Sequence, residues 1–373
     1  ERTGIPVAET QAGKGALPWD HACSVGAIGA TGTTAANALA READVVLGIG
    51  TRYSDFTTAS HSLFGDPDVK FVNVNVAGFD AAKLGGVTVV ADAKEGIRAL
   101  NAALAGYGAP SPHRERARAL AAEWNAEVDR AYAPKNGRLP AQSEVIGAVN
   151  EVSGPRDVVV CAAGSMPGDL HKLWRAQDPK GYHVEYGYSC MGYEIAGGLG
   201  VKMAAPDREV FVLVGDGSYL MMAQELTTAV AEDVKLIVVL VQNHGFASIG
   251  NLSESVGAQR FGTGRLDGDE IPVDLAANAA SLGADVLRAA TADQLRDNLR
   301  EARKNTRTTV IHIETDPLSA GPDSAAWWDV PVAEVAALDS TRRARARYEA
   351  DRRAQRHHLL RPTTRGETES TFR

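Results

Sequence analysis

The sequence predicts an α/β protein built from two doubly wound domains, each with a parallel β-sheet. Three observations predict this class. Apolar runs of strand length, rich in Val and Ile, alternate along the chain with segments of helical periodicity. The connections between the runs are long enough to hold a helix, which neighbouring parallel strands require. A turn-rich break at residues 107–112 separates two such blocks, and 373 residues suit two domains of ordinary size.

The first block, residues 1–110, is predicted to form one domain. Its predicted strands cover residues 5–9, 44–50, 70–76 and 87–91. Residues 31–41 are predicted to form an alanine-rich helix. The strand at 44–50 is apolar enough to be buried. Gly48 and Gly50 end it in a Gly-x-Gly pattern, but no third glycine opens a helix, so a structural role is favoured over a dinucleotide site. Lys14 and Arg52 are weak site candidates, and solvated positions are the simpler expectation for both.

A helical linker at residues 111–140 is predicted to lead into the second domain, residues 141–320. Its predicted helices cover residues 143–152, 219–234, 274–282 and 291–304. Its predicted strands cover residues 157–161 and 309–314, and two more lie within residues 209–218 and 236–245. Residues 321–373 form a C-terminal segment in which Trp327 and Trp328 are expected to anchor a core rather than cap a site. Its Arg-rich tail from residue 341 is predicted to begin as a solvated helix and to end partly disordered.

The stretch that carries the chemistry is a predicted βαβ unit over residues 209–245. Asp216 and Asn243 each follow one of its two strands, and the carboxyl ends of parallel neighbours lie on one edge of the sheet. A carboxylate, an amide oxygen and the carbonyl of Gly245 would converge there as hard ligands suited to Mg²⁺. Gly215 and Gly217 permit close approach of a phosphate to a helix expected after Ser218. The simpler alternative is a buried strand followed by a Gly-Asp turn.

These residues resemble a known family. Gly215-Asp216-Gly217, followed at this distance by Asn243 and Gly245, resembles the metal and diphosphate motif of the thiamine diphosphate (ThDP) enzymes. The family usually closes the motif with two Asn, whereas the first here is Gln242. Residues 188–194 (YSCMGYE) resemble the segment that holds the cofactor in its bent shape, with Met191 as the supporting apolar residue. The resemblance implies that residues 1–110 are the family's middle domain and that residues 141–320 bind the diphosphate and Mg²⁺.

The resemblance also implies a set of site residues. The implied metal ligands are Asp216, Asn243 and Gly245. The implied contacts to ThDP are made by Ser165, Met166, Met191, Gly192, Gly215, Asp216, Gly217, Ser218, Asn243, Gly245 and Phe246. His183 and His244 are candidate proton carriers, because imidazole titrates near neutral pH, although packing roles are favoured for both.

The wider wording of residues 7–14 (VAETQAGK), 161–170 (CAAGSMPGDL) and 185–194 (EYGYSCMGYE) resembles one branch of this family. Its members hydrolyse a carbon–carbon bond of a cyclic 1,2-dione in inositol breakdown. The resemblance implies a small-molecule cyclic dione as substrate and a homodimer or homotetramer for the full-length protein. The family's activating Glu belongs to an N-terminal pyrimidine-binding domain that matches nothing in this chain. The catalytic residues are therefore unknown, and we expect an inactive fragment or one part of a split enzyme.

Two other functions stay open, an acetolactate synthase-like decarboxylase or carboligase and a non-catalytic subunit that holds the cofactor. Composition limits the setting. The formal net charge of −8 argues against nucleic acid as a partner. Three cysteines without a CxxC pair favour a reducing, cytoplasmic location. No apolar run is long enough for a membrane span, so no membrane partner is expected.

Overall fold

A computed structural model describes residues 1–135, 137–263, 273–353 and 355–356. Within these ranges the chain forms three parallel sheets, of two, three and six strands. The two small sheets lie in the first block of sequence and the large sheet lies in the second. This architecture confirms the α/β class.

The first block contains two separate small sheets. Its elements are β1 (Val7–Glu9), β2 (Ser24–Ala27), α1 (Thr34–Glu42), β3 (Val45–Ile49), α2 (Asp55–Thr58), β4 (Lys70–Asn75), α3 (Gly78–Ala81), β5 (Val87–Val90) and α4 (Ala93–Ala103). Strands β3, β4 and β5 pair in that order and in parallel. The predicted strand at 5–9 does not join them, because β1 pairs with β2, a strand that the sequence analysis missed.

One face of the three-stranded sheet is exposed. Alternate residues of a strand point to opposite faces, and in β3 the outward set is Val45, Leu47 and Ile49, which are 55%, 36% and 38% exposed. Gly48, on the other face, is buried. The expectation that this strand is buried is therefore wrong for one of its faces, since the described helices of this block leave that face uncovered.

The second block follows a long helix, α5 (Ser111–Tyr132), and is built on the six-stranded sheet. Its elements are α6 (Gln142–Val152), β6 (Val158–Cys161), α7 (Ser165–Leu173), β7 (Tyr182–Val184), α8 (Tyr193–Ala204), β8 (Val210–Gly215), α9 (Asp216–Met222), α10 (Glu225–Ala231), β9 (Ile237–Gln242), α11 (Ala247–Ser255), α12 (Leu275–Ser281), β10 (Asp285–Ala289), α13 (Ala292–Lys304) and β11 (Thr309–Glu314). The strand order is β10-β11-β9-β8-β6-β7, and every pair is parallel.

Helices cover both faces of this sheet, as the doubly wound prediction requires. Phe211 and Leu213 of β8 pack into one core with side chains of α5, α6, α7 and α13. Val210, Val212 and Val214 of the same strand pack into a second core with α8, α10 and α12. All five are at most 1% exposed, so β8 is buried on both faces, which is why it reads as a continuous apolar run.

The direction of the strand connections reverses between β6 and β8. From β6 the chain continues to β7 on one side, and then returns to β8 on the other. Open α/β sheets bind ligands in the crevice outside the carboxyl ends of the strands at such a switch point. The loops after β6, β8 and β9 therefore border the expected ligand crevice.

The prediction for this block is incomplete, since it includes neither strands β7 and β10 nor helices α7, α8 and α11. The single helix expected at 219–234 is two helices: α9 begins at Asp216, directly after Gly215, and α10 begins at Glu225. Strand β10 was missed because Asp285 and Arg288 interrupt its apolar pattern, as suits an edge strand with partly exposed side chains. The remaining predicted helices and strands of this block are present within two residues of their expected ends.

The C-terminal segment returns to helical structure at α14 (Asp339–Arg352). Ala344 and Tyr348 of this helix are buried in a small cluster with Val332, so the helix is docked rather than fully solvated. The predicted disordered end lies outside the described residues. None of the described helices has both the length and the apolar character needed to cross a membrane.

Candidate cofactor-binding site

The loops that follow β8 and β9 meet in the crevice. Asp216 Oδ2 accepts hydrogen bonds from the backbone N–H groups of His244 (2.7 Å) and Gly245 (3.2 Å). Its Oδ1 accepts another from the N–H of Gly217 (2.7 Å). The two strand ends that the sequence places on one edge of the sheet are thus joined directly by one carboxylate.

Three oxygen-bearing groups lie close together at this junction, with the Asn243 amide near the other two. The terminal amide atom of Asn243 lies 3.2 Å from Asp216 Oδ1 and 2.9 Å from the carbonyl oxygen of Gly245. In one orientation of the amide, its nitrogen donates a hydrogen bond to each of these oxygens. In the other orientation, three oxygens face one another with no proton between them, an arrangement that a cation would stabilise. Adjacent ligands in an octahedron with Mg²⁺–O bonds of 2.0–2.1 Å lie about 2.9 Å apart, close to the two distances from the Asn243 amide.

The electrostatics of Asp216 favour a cation. Asp216 is only 4% exposed, and burial raises the pKa of its carboxyl group, against the lowering effect of the three N–H bonds. The described residues contain no cluster of three or more His, Cys, Asp or Glu side chains that could hold a metal. A cation bound here would therefore need amide, carbonyl, phosphate and water oxygens in addition to this carboxylate, as Mg²⁺ accepts.

Glycine and two apolar side chains form one wall beside the junction. A Cβ added to Gly217 would lie 2.9 Å from the Phe246 ring and 3.6 Å from Met191 Cε, so both side chains lie beside Gly217. A Cβ on Gly215 would meet nothing within 4 Å, which leaves open space beside the start of α9. The bending-segment residue, the diphosphate loop and the β9 loop are thus neighbours, as the sequence analysis expected of a single site.

A buried glutamate that the sequence analysis missed holds this wall in place. Glu194 Oε1 accepts a hydrogen bond from Ser218 Oγ (2.7 Å), and Glu194 Oε2 accepts one from the N–H of Gly192 (3.0 Å). The same N–H also reaches Ser218 Oγ at 2.8 Å, and the N–H of Ala163 lies 3.5 Å from Oε1. Glu194 is 1% exposed, and burial raises the pKa of its carboxyl group. The sequence signal that could have identified Glu194 is an acidic residue in the first turn of an otherwise apolar, Gly-rich helix.

Several expected contacts can come only from the backbone. Ser218 uses its hydroxyl to hold Glu194, so its side chain is not free in the crevice. Ser165 Oγ donates to Gln142 Oε1 at 3.1 Å, and the Met166 side chain lies in the core at 4% exposure. The N–H groups at the start of α7 remain available to an anion, and Gly164 precedes them with a positive φ of 90°.

The two candidate proton carriers have structural partners. His244 Nε2 lies 2.6 Å from Glu314 Oε1 at the end of β11. His183 Nε2 lies 2.7 Å from the hydroxyl of Tyr193, whose ring stacks on the imidazole, and burial lowers the pKa of His183. Both histidines therefore have hydrogen-bonding partners, and a role as proton carriers stays a prediction.

The two tryptophans anchor the C-terminal segment. Trp328 Nε1 donates to Asp55 Oδ2 at 2.6 Å, and its ring lies 4.8 Å from that of Phe56 in the first block. Trp327 packs against Tyr348 of α14. Both side chains therefore connect the segment to neighbouring structure.

Comparison with known protein families decides what kind of crevice this is. Residues 1–100 match the model of the central domain of thiamine pyrophosphate enzymes, and residues 162–313 match that of their C-terminal, TPP-binding domain. The chain belongs to the thiamine pyrophosphate enzymes. The second match begins at the end of β6 and ends in β11, so it includes every loop that borders the crevice. Thiamine pyrophosphate is the same molecule as ThDP.

Curated relatives extend the match beyond the two domains. The chain is 40% identical to 3D-(3,5/4)-trihydroxycyclohexane-1,2-dione hydrolase 2 of Bacillus cereus, over 91% of this chain and 58% of the relative. Proteins named as the same hydrolase in Bacillus anthracis and Bacillus thuringiensis are 40% and 39% identical, each again matched over 58% of its length. The chain thus spans somewhat over half the length of these relatives.

Proposed function

We propose that this chain binds ThDP together with Mg²⁺ in the crevice at the ends of β6, β8 and β9. We further propose that it serves the hydrolytic cleavage of 3D-(3,5/4)-trihydroxycyclohexane-1,2-dione to 5-deoxy-D-glucuronate in myo-inositol degradation. The observation that supports the cofactor assignment is the meeting of three groups, with the Asn243 amide 3.2 Å from Asp216 Oδ1 and 2.9 Å from the Gly245 carbonyl oxygen. The observation that carries the substrate assignment is 40% identity to the named hydrolases.

Each group of residues has a separate task in this proposal. Asp216, Asn243 and the Gly245 carbonyl hold Mg²⁺, and the backbone N–H groups that begin α7 and α9 receive the diphosphate. Met191 and Phe246 form the apolar wall that holds the cofactor in its bent shape. When bound, the cofactor supplies an electron sink, which accepts the electron pair left on a carbon atom when the carbon–carbon bond beside a carbonyl breaks.

The proposed residues bind and orient the cofactor but do not activate it. None of them is the carboxylate that the ThDP family presses against the aminopyrimidine ring, and we place that Glu on a pyrimidine-binding domain. We therefore expect the chain alone to bind the cofactor without turnover, and to turn over when such a domain is supplied. The working protein is proposed to be a cytoplasmic homodimer or homotetramer whose partner is the small cyclic dione.

Calorimetric titration with ThDP in the presence of Mg²⁺ tests the cofactor site. We expect Asp216→Asn and Asn243→Ala each to weaken binding by at least about a hundredfold, because a metal ligand contributes more than the ten- to hundredfold of an outer-shell partner. Asp351→Asn and Asn101→Ala are matched controls, since both residues are exposed on helices away from the crevice. Equal affinity in the site variants and the controls would refute the proposed ligands.

Substrate competition tests the reaction. With a pyrimidine-binding domain from a Bacillus relative supplied, we expect cleavage of the cyclic dione and no consumption of pyruvate. Consumption of pyruvate alone would instead identify a decarboxylase or carboligase. Tight cofactor binding without turnover of either compound would identify a subunit that only holds the cofactor.

A further inference from the structure

A buried lysine lies where the first block meets the far end of α7. Lys14 follows β1 and a 3-10 turn (Gln11–Gly13), and it is only 7% exposed, so the expectation of a solvated position is wrong. It lines a cavity together with residues 172–176, whereas the crevice lies at the start of α7. The nine residues of α7 span about 13 Å, so the cavity and the crevice are separate places.

The Lys14 ammonium group has no hydrogen-bond or ion-pair partner in the described part of the chain. The nearby acid is Glu9, but its Oε1 accepts the N–H groups of Gly15 (3.1 Å) and Leu17 (3.0 Å) and so holds the loop. Burial lowers the pKa of Lys14 to about 8, and the charge of Glu9 only partly opposes this shift. A buried charge without a partner is costly, so this position favours an acceptor that the protein itself does not provide.

A second cationic donor in the same cavity also lacks an acceptor. Arg175 lines the cavity, and its terminal nitrogen Nη2 donates hydrogen bonds to Asp129 Oδ1 (2.7 Å) and to the carbonyl oxygen of Asn125 (3.1 Å). Its guanidinium group stacks on the Trp19 ring at 4.4 Å, which fixes its plane. The remaining Nε–H is buried and has no partner among the described residues. Two unsatisfied N–H donors of positive charge therefore line one cavity.

The cavity is large enough for a ligand, and its charge is mainly positive. Its volume is about 40 Å³, more than the roughly 10–15 Å³ that one water molecule needs, so a small ion of a few atoms can enter. Its charged lining consists of Lys14, Lys172, Arg175 and Glu9. Lys172 and Arg175 have acidic partners, Asp169 at 3.8 Å and Asp129 at 2.7 Å, that are not part of the lining. Lys14 is thus the cation without a dedicated acid.

We propose that this cavity binds a small oxyanion, a carboxylate or a phosphate, between the Lys14 ammonium and the Arg175 Nε–H group. Ammonium and guanidinium groups form their strongest hydrogen bonds with such anions. Water would satisfy the hydrogen bonds but would add no negative charge to that of Glu9, which compensates the Lys14 charge only in part. Because the cavity is bordered by the first block, by α5 and by the end of α7, the bound anion would tie the first block to the second.

Protection of Lys14 from chemical labelling tests this site on the wild-type chain. Lysines are reductively methylated at pH 8, in inorganic phosphate or in acetate, with sodium chloride keeping the ionic strength constant, and each site is quantified by mass spectrometry. At an anion concentration ten times Kd, we expect the Lys14 rate to fall about tenfold. Lys180 is exposed, and its rate should not change. The anion that protects at the lower concentration identifies the ligand class. Equal Lys14 rates in phosphate, acetate and chloride would overturn the proposal.

A variant provides the second test. Lys14→Met keeps most of the side-chain volume and removes the charge, and Lys180→Met is its matched control. We expect the thermal midpoint of wild type and of the control to rise with the protecting anion, and that of Lys14→Met to stay constant. An equal rise in Lys14→Met would overturn the proposal. If that variant does not fold, the labelling of the wild-type chain decides the question.

Discussion

Glu194 is predicted to couple the segment before α8 to the loop after β8, and replacing it is the most direct test. Glu194→Ala removes the acceptor of the Ser218 hydroxyl (2.7 Å) and of the Gly192 N–H (3.0 Å). The Gly192 N–H keeps Ser218 Oγ as an acceptor at 2.8 Å, so only the Ser218 hydroxyl is left without a partner. A buried donor without a partner costs about 1–3 kcal/mol, which is the destabilisation predicted for this variant. The contact from the Ala163 N–H, at 3.5 Å, is too long to add much.

Glu194→Gln gives a graded version of the same change. If the amide oxygen takes the place of Oε1, the bond from Ser218 is kept, but the amide nitrogen then faces the Gly192 N–H, donor against donor. The Gly192 N–H keeps its bond to Ser218 Oγ at 2.8 Å, so the loss should be smaller than in Glu194→Ala, and stability should fall in the order Glu, Gln, Ala. The Glu194 carboxylate is an acceptor in all of these hydrogen bonds. Glutamine has the same size but carries a donor NH₂ group, so it does not restore the network.

Two measurements distinguish a specific effect of Glu194 on cofactor binding from a general loss of protein stability. Urea unfolding gives the free energy of unfolding, and calorimetry below the unfolding transition gives the affinity for ThDP with Mg²⁺. We expect the affinity to fall tenfold or more in Glu194→Ala, because Gly192 and Ser218 both lose their fixed positions. Glu232→Ala, at an exposed position after α10, is the control. Stability and affinity equal to this control would refute the reasoning, whereas absence of binding by the wild type would count against the proposed function instead.

Three further changes have outcomes that follow from single contacts. Burial lowers the pKa of His171 to about 3, below its value in the unfolded chain, so the unfolded state binds more protons and stability falls as pH drops below about 6.5. Urea midpoints from pH 6.5 to 5 should therefore fall less steeply in His171→Asn than in wild type, and parallel slopes would contradict this. Gly192→Ala places a Cβ 2.6 Å from Met222 Cγ at φ 92°, so a free energy of unfolding lower by about 1–3 kcal/mol is expected, and an unchanged value would exclude strain there. Trp328→Phe keeps the ring but loses the bond to Asp55, so a loss of about 0.5–3 kcal/mol is expected in the same urea assay, and no loss would show that the bond contributes nothing.

The sequence was sufficient to bring the two loop ends together. A βαβ unit has a fixed direction and hand, so residues that follow its two strands must lie on one edge of the sheet. That rule alone places Asp216 near Asn243, and the structure shows the Asp216 carboxylate bonded to the residues that follow Asn243. The role of these residues as metal ligands stays a prediction until binding is measured.

The contacts within the crevice could not be predicted in the same way. Glu194 is separated from Ser218 by a whole helix and strand, and its partners become apparent only when three loops have met. The same holds for Lys14, whose burial depends on how the first block packs on α7. The exposed face of β3 was missed because an apolar strand reads as buried whether or not a layer covers both of its faces.

The backbone of the β9 loop explains why this loop lies against Asp216 without a bound cation. His244 has a left-handed φ of 64°, a conformation that costs a non-glycine residue about 1 kcal/mol or more, and Gly245 follows with φ 124°. These two conformations turn consecutive N–H groups towards Asp216, and the two resulting hydrogen bonds offset the strain. The same turn directs the Gly245 carbonyl at Asn243. A cation would therefore only have to turn one amide rather than assemble a loop, so Asp216→Asn should disturb the loop as well as remove a charge.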